Sequence, residues 1–418
     1  VKLAYELDVL TLHNKQGSHP LKDFCANYSH PFYFYDLTSI EERAQLMSES
    51  VKDIPVHFHF AMKSNFQKPL LKKLIACGWG IDTVSQGEIE LALECGATAD
   101  QIVFSGVGKT ATEIEFSLRS KVNTINVESF EEYERVHQIA RKFGDATSII
   151  GVRVNPDVDP MTHPSITTGL RDNKFGVDFE SFLAWHHQSK DFPPSRLALS
   201  CHIGSQVRHI GVLKEAYFKM LGYVQILKKR GVDIVHLDLG GGLGIDYSRD
   251  PLAVAANFEN YFLDETNKVG SSSSSKLNLW KSYASLLAEV FEKAKMPILL
   301  EPGRIVVGPF GALIAQVQYV KRTPYKNFVI LDTGMNHLMR PMLYSANHKI
   351  VPIENPDRPK EIFDVVGPIC ESTDVLARSI PLPSLKQGEY VAILDTGAYG
   401  EVLANNYNLR PLAPAVFV

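Results

Sequence analysis

The stretch Ile54–Asn65, IPVHFHFAMKSN, decides the fold. Val56 to Phe60 is rich in β-branched and aromatic residues, as a strand is, and the run ends in a lysine, Lys63. Burying a lysine is costly unless it is paired or chemically used. Taken alone, Lys63 reads as a side chain with a covered stem and an ammonium in solvent. Seven more runs of the same kind follow: GIDTVS (80–85), QIVFS (101–105), NTINV (123–127), SIIGVRVN (148–155), LALSCHI (197–203), IVHLDL (234–239) and PILLE (297–301). Amphipathic segments separate them, such as GEIELALECG (87–96) and VESFEEYERVHQIARKF (127–143), where Ser129 ahead of Glu131 and Glu132 marks a helix start. Strand–helix alternation implies a parallel sheet, and eight copies favour a (β/α)8 TIM barrel over a doubly wound open sheet.

After Arg304 the pattern changes. GALIAQVQYVKR, FVILDTGM, FDVVGPIC and EYVAILDTG are strand-like, with Pro, Gly and Asp-rich connections and little helical period. The expectation is a C-terminal β-sandwich or β-barrel domain that also takes in the N-terminal segment. The barrel is drawn as 31–296 and the β-domain as 1–30 with 297–418. GSSSSSK (270–276) is low-complexity and is expected as a mobile loop in a long insertion, 251–295, after the seventh strand.

Composition narrows the function classes. The 418 residues carry 43 basic and 47 acidic side chains, a net charge of −4, which favours neither nucleic acid nor an anionic membrane as partner. The longest apolar zone, 296–320, is broken by Glu301, Pro302, Arg304 and Pro309, so no membrane span is expected. The five cysteines are scattered and contain no C-x-x-C pair, which reads as reduced thiols in a cytoplasmic protein. The chain opens on Val rather than Met, so a trimmed start is expected.

In a (β/α)8 barrel the active site forms at the C-terminal ends of the strands. Polar or glycine-rich residues fall there on most of the eight: Lys63; Asp82 with Ser85 and Glu88; Arg153 and Asn155; His202 and Ser205; Asp238 with Gly240 to Gly244; Glu301 and Arg304. Consecutive glycines after a strand let backbone N–H groups approach a phosphate, although a tight turn would use them equally. A strand-end lysine together with a phosphate cradle suggests pyridoxal phosphate. Glu301 is the candidate carboxylate for the pyridine nitrogen, with an Arg304 ion pair as the ordinary alternative. His202 can pack on the ring. His57 and His59 share a strand face without a third ligand, so no metal site is proposed.

FAMKSN (60–65), HIGSQ (202–206), GGGLG (240–244), EPGR (301–304), GPICES (367–372) and DTGAYG (395–400) occur in an order that resembles the alanine-racemase-fold (fold type III) pyridoxal phosphate-dependent decarboxylases, most of all the diaminopimelate decarboxylases. VFSGVGK (103–109), VRVNP (152–156), GLRDNKFG (169–176), MRPMLY (339–344) and NNYNLRP (405–411) add to a resemblance that covers essentially the whole chain. It implies decarboxylation of meso-2,6-diaminopimelate to L-lysine and CO2, the last step of lysine biosynthesis. Lys63 would be the Schiff-base lysine and His202 the ring-stacking residue. Ser205, Gly241, Gly242 and the backbone of Glu301, Pro302, Gly303 and Arg304 would hold the phosphate. Glu301 would meet the pyridine nitrogen, and Asp82 lies in the cofactor site. Tyr399 would touch both phosphate and substrate. Arg304, Arg340, Tyr344 and Glu371 would bind the substrate. Cys370 would be the proton donor, reaching with Glu371 across a homodimer interface into the partner's site.

The chemistry of these residues agrees. The distal end of diaminopimelate bears a carboxylate and an ammonium; Arg304 and Arg340 can clamp the one and Glu371 the other. A fold type III decarboxylase for ornithine, lysine or a carboxylated polyamine is the alternative, but the first two substrates leave two arginines without a carboxylate. A racemase typically needs a cation, not Glu301, at the pyridine nitrogen. A cofactor carrier without turnover would lack the β-domain. Departures from the family pattern are His337, where relatives have an acid or asparagine, the long insertion, and an end at Val418 that suggests trimming.

Overall fold

The structure is a computed structural model that describes residues 2–28, 30–143, 148–160, 162, 167–169, 173–188, 196–248, 250, 252, 279–355 and 357–418. Its contacts divide the chain into two units, Ala44–Gly244 with Leu263–Gly303, and Val1–Arg43 with Ile245–Phe262 and Arg304–Val418. These boundaries fall later in the chain than the 30/31 and 296/297 drawn from sequence. The cause at the first is Phe32–Tyr35, a strand that pairs with Gly311–Ile314 of the β-domain.

In the first unit eight parallel strands close into a barrel: Val56–Ala61, Gly80–Thr83, Ile102–Phe104, Thr124–Val127, Ile149–Arg153, Leu197–Ser200, Ile234–Asp238 and Ile298–Leu300. They are the eight expected. Gly80–Thr83, Thr124–Val127 and Leu197–Ser200 are buried along their whole length, as strands covered on both faces are, so their polar residues Asp82, Asn126 and Ser200 are buried with them. Several of the intervening helices begin on side-chain caps. Thr110 and Glu113 form a reciprocal capping box before Ala111–Arg119, and Ser129 accepts the Glu132 amide at 3.1 Å where Phe130–Phe143 starts.

The second unit is built on a mixed eight-stranded sheet whose longest strand is Gly311–Arg322. The first half of that strand lies between Phe32–Tyr35 and Tyr390–Ile393, and the second half pairs with Asn327–Leu331. A three-stranded sheet, Lys2–Glu6, Val9–Asn14 and Gly17–Pro20, holds the N-terminal residues. Leu10 and Leu12 of that sheet share a core with Phe32, Phe34, Ile314, Val351 and Ala392, so the N-terminal segment is part of this domain, as expected. Residues 170–172 of the GLRDNKFG stretch and all of GSSSSSK lie outside the described residues.

Candidate active site

Lys63 sits just past the first barrel strand, in the single turn Met62–Ser64. Its Nζ donates to Asp82 Oδ2 at 3.0 Å; Asp82 is fully buried, while the lysine side chain is one-third exposed. The amine is therefore oriented by a buried carboxylate while part of the side chain stays accessible. It lines a cavity of about 350 Å³ with Ser105, Asn126, Arg153, His202 and Glu301. A cavity of about 550 Å³ at the opposite barrel end, lined by His57, Arg196 and Pro297 among others, contains none of these groups.

Glu301 lines the cavity, and a second buried acid, Asp238, stands beside it. Glu301 accepts from Ser105 Oγ at 3.4 Å, and Asn126 Nδ2 donates to Ser105 Oγ at 3.2 Å and to Asp238 Oδ2 at 3.3 Å. Asp238 also accepts the Gly240 amide at 2.8 Å. Burial, then the neighbouring carboxylates of Asp238 and Asp82, push Glu301 well above the ordinary carboxylate range. Burial raises Asp238 as well, and a bond from Glu301 opposes that rise. Glu301 is thus the protonated member of the pair.

His202 follows the sixth strand. Its Nδ1 accepts the Gly241 amide at 3.1 Å, which leaves the ring proton on Nε2. Burial, then the charges of Lys63 and Arg153, hold it well below the usual histidine range, so the ring is neutral. Arg153 is fixed by Glu128 at 3.2 Å and donates to the His202 carbonyl at 3.3 Å. A Cβ at Gly241 would lie 2.1 Å from the Glu301 carbonyl oxygen, and one at Gly242, where φ is +102°, would lie 2.4 Å from the Gly204 carbonyl oxygen. Both glycines are required by close backbone approach.

The β-domain unit holds a separate cluster. Arg304 and Arg340 are nearly fully buried, at 6% and 4% exposure. Arg304 donates to the Tyr247 hydroxyl at 2.8 Å and lies 4.7 Å above the Tyr399 ring. Arg340 lies 4.7 Å above the Tyr247 ring and donates to His348 Nε2 at 2.8 Å. Among the described residues no acid pairs with Arg340, and its Nε has no hydrogen-bond partner. Burial, and more weakly the Arg304 charge, lower the Arg340 pKa, while Tyr247 opposes them. Two guanidiniums held together in this way form a receptor for an anion.

The chain is similar to known proteins. A profile of the pyridoxal-dependent decarboxylases, pyridoxal binding domain, matches residues 37–308. The diaminopimelate decarboxylase of Aquifex aeolicus is 39% identical over 399 residues, which is 95% of this chain and 89% of that protein. The crystal structure of the Helicobacter pylori diaminopimelate decarboxylase complexed with L-lysine has a TM-score of 0.85 at 34% identity, covering 95% of this chain and 94% of that one. The M. jannaschii diaminopimelate decarboxylase in co-complex with L-lysine gives 0.86 at 30%, covering 100% and 92%.

This chain belongs to the diaminopimelate decarboxylase family. The cofactor of this family is pyridoxal 5′-phosphate, and the barrel residues fit it. Lys63 lines the cavity, and Glu301, a buried acid whose proton affinity is raised, can share its proton with a ring nitrogen. His202 offers a flat neutral face. Asp82 Oδ1 and Asn126 Oδ1 are buried without partners.

The remaining residues expected at a diaminopimelate decarboxylase site lie as follows. Ser205 is half-buried in the loop after the sixth strand, and Pro302 and Gly303 are buried after the eighth. The Pro302 carbonyl accepts the Ala61 amide at 3.1 Å, and a Cβ on Gly303 would lie 2.9 Å from Ser64 Oγ, so this loop is clamped to the Lys63 turn. Tyr344 ends the short helix Arg340–Tyr344. Cys370 and Glu371 are exposed, and the Cys370 amide donates to Asn408 Oδ1 at 3.0 Å. His337 is buried: its Nδ1 meets Thr333 Oγ1 at 3.0 Å and its Nε2 the Pro411 carbonyl at 2.9 Å, which makes it a pin within the β-domain. Sequence reasoning missed Ser105, Asn126, Tyr247 and His348. Ser105 and Asn126 lie in strand runs read for their β-rich pattern, and Tyr247 and His348 are isolated polar residues that no motif singles out.

Proposed function

We infer that this protein decarboxylates meso-2,6-diaminopimelate to L-lysine and CO2 with pyridoxal 5′-phosphate. The observation that carries the substrate is Arg340, buried beside Arg304 and facing no acid among the described residues. An uncompensated buried guanidinium is costly, and a substrate carboxylate removes that cost. Ornithine and lysine bear no distal carboxylate.

When bound, the cofactor supplies the electron sink that accepts the pair released as CO2 departs. Lys63 Nζ would carry it, with Asp82 keeping the amine aimed into the cavity. Glu301 would hold the ring nitrogen, and Asn126 and Ser105 keep its carboxyl in register with Asp238. His202, neutral and oriented by Gly241, would cover one face. Ser205, Gly241, Gly242 and the backbone of 301–304 would receive the phosphate; because the Gly241 amide is given to His202, that glycine serves the ring as well. Arg304, Arg340, Tyr344 and Tyr399 would bind the substrate. Cys370 would return a proton to Cα, and Glu371 would take the distal ammonium.

The exposure of Cys370 and Glu371 favours a homodimer in which they serve the partner's site. Asn408, which holds the Cys370 amide, adjoins Leu409, 95% exposed with φ of +55°. An apolar side chain displayed in a strained conformation suits an interface. A cytoplasmic location is supported by all five cysteines being free, and no helix among the described residues is long and apolar enough to cross a membrane. The test is CO2 release from meso-diaminopimelate by the purified holoenzyme; activity on L-ornithine or L-lysine instead would reject the assignment.

A further inference from the structure

We propose that His348 is a positioning residue for substrate specificity, holding the Arg340 guanidinium in place to receive the distal carboxylate without neutralising it. The inference rests on the reading of Arg340 given above.

The bond pattern at His348 admits one tautomer. Arginine can only donate, so Nε2, 2.8 Å from Arg340, accepts. A backbone carbonyl can only accept, so Nδ1, 2.9 Å from the Leu394 oxygen, carries the proton. Both ring nitrogens are satisfied, and the residue is 6% exposed. Leu394 directly follows Tyr390–Ile393, a strand paired with Ile350–Pro352, so the imidazole is anchored to the β-domain sheet rather than to a mobile side chain.

Local chain geometry brings the two residues together. The helix Arg340–Tyr344 stops at Ser345 in a left-handed conformation, φ +50°, and the Ala346 amide turns back to the Arg340 carbonyl. Residue 348 therefore returns beside residue 340. Tyr247 closes the triangle: its ring stands edge-on to His348 at 5.2 Å and lies 4.7 Å under Arg340, while its hydroxyl accepts from Arg304. One aromatic ring thus spaces the two guanidiniums, and His348 locks the Arg340 side of it.

The choice of a histidine has a physical rationale. An aspartate or glutamate at 348 would hold Arg340 equally well but would cancel the charge that attracts a carboxylate. A neutral acceptor fixes the fork and leaves the charge for the ligand. Burial, then the Arg340 charge, push His348 down to about 3, so the ring stays neutral where the enzyme works.

The experiment compares His348→Leu, His348→Gln, His348→Asn and Arg340→Met holoenzymes in steady-state decarboxylation of meso-diaminopimelate, with inhibition by L-lysine and by cadaverine measured alongside. Gln can place an oxygen where Nε2 accepts; Leu offers no acceptor and Asn does not reach. The expected result is a KM raised about tenfold or more in His348→Leu and His348→Asn, as for a lost charged hydrogen bond. Within the same variants kcat holds, and His348→Gln restores KM. The L-lysine inhibition constant rises in parallel, because the product keeps the distal carboxylate, whereas that of cadaverine, which has no carboxylate, does not change. If His348→Leu fails to fold, the Gln and Asn pair alone decides. An unchanged KM in His348→Leu or His348→Asn beside a raised KM in Arg340→Met overturns the inference and leaves the Arg340 reading intact. An unchanged KM in Arg340→Met overturns that reading itself. Equal increases in KM and in the cadaverine constant reduce His348 to a structural residue and also refute the inference.

Discussion

Glu301→Gln separates the electrostatics of the barrel site from its packing. Glu301 is 6% exposed, accepts from Ser105, and shares its surroundings with the carboxylates of Asp238 and Asp82. Glutamine keeps the shape, retains an acceptor for Ser105 and can still donate to Asp238, so no cavity or unpaired donor is created. The stability consequence follows from the raised folded pKa. A carboxyl that binds its proton more tightly in the folded chain contributes stability fully present below its unfolded pKa, near 4.5, and lost as pH rises through the folded value. Each unit of upward shift is worth about 1.4 kcal/mol. The cofactor-free wild type should therefore weaken from pH 5 to 8 more steeply than Glu301→Gln, and at pH 8 the variant should be at least as stable. Catalysis should move the other way, because an amide does not keep the ring nitrogen protonated; kcat should fall by about 10²–10³-fold. Urea denaturation of the cofactor-free proteins across that pH range and kcat of the loaded ones provide the two readouts. Parallel stability profiles for the two proteins, or a kcat within about threefold of wild type, would refute the assigned role of Glu301.

Gly241→Ala drives a Cβ to within 2.1 Å of the Glu301 carbonyl oxygen, so it should cost about 1–3 kcal/mol in urea denaturation and weaken cofactor retention on gel filtration. Mixing inactive Lys63→Ala with inactive Cys370→Ala, with subunit exchange, should restore about a quarter of wild-type activity, since in a shared-site dimer half the mixed dimers' sites are intact; no recovery would place Cys370 in its own subunit's site or outside catalysis. Leu409→Asp should shift the protein toward monomer in analytical ultracentrifugation and lower activity with it; an unchanged dimer would remove that residue from the interface.

The barrel was legible because eight strand-like runs alternate with amphipathic segments, some of which begin on recognisable caps such as Ser129. Phe58 and Phe60 in the first strand, and the all-buried Thr124–Val127, could hardly be anything but interior strands. Lys63, Asp82, His202 and Glu301 were legible because barrel topology says where strand-end residues point. The network beneath them was not. Ser105 and Asn126 are ordinary strand-end polar residues whose importance comes from meeting Glu301 and Asp238, strands far apart in sequence. Tyr247 and His348 were hidden for the same reason: nearly a hundred residues separate them from each other, and only folding sets them around Arg340. Phe32–Tyr35 looks like any apolar strand in the sequence, and which sheet it joins is decided by its pairing with Gly311–Ile314.

The most direct test of the account is CO2 release by the holoenzyme at saturating pyridoxal 5′-phosphate from meso-diaminopimelate, L-lysine and L-ornithine in parallel. The paired arginines predict a kcat/KM for meso-diaminopimelate about 10⁴-fold above the other two, as for a site left with unpaired buried groups when the wrong substrate binds. Comparable or greater turnover of L-lysine or L-ornithine would contradict it.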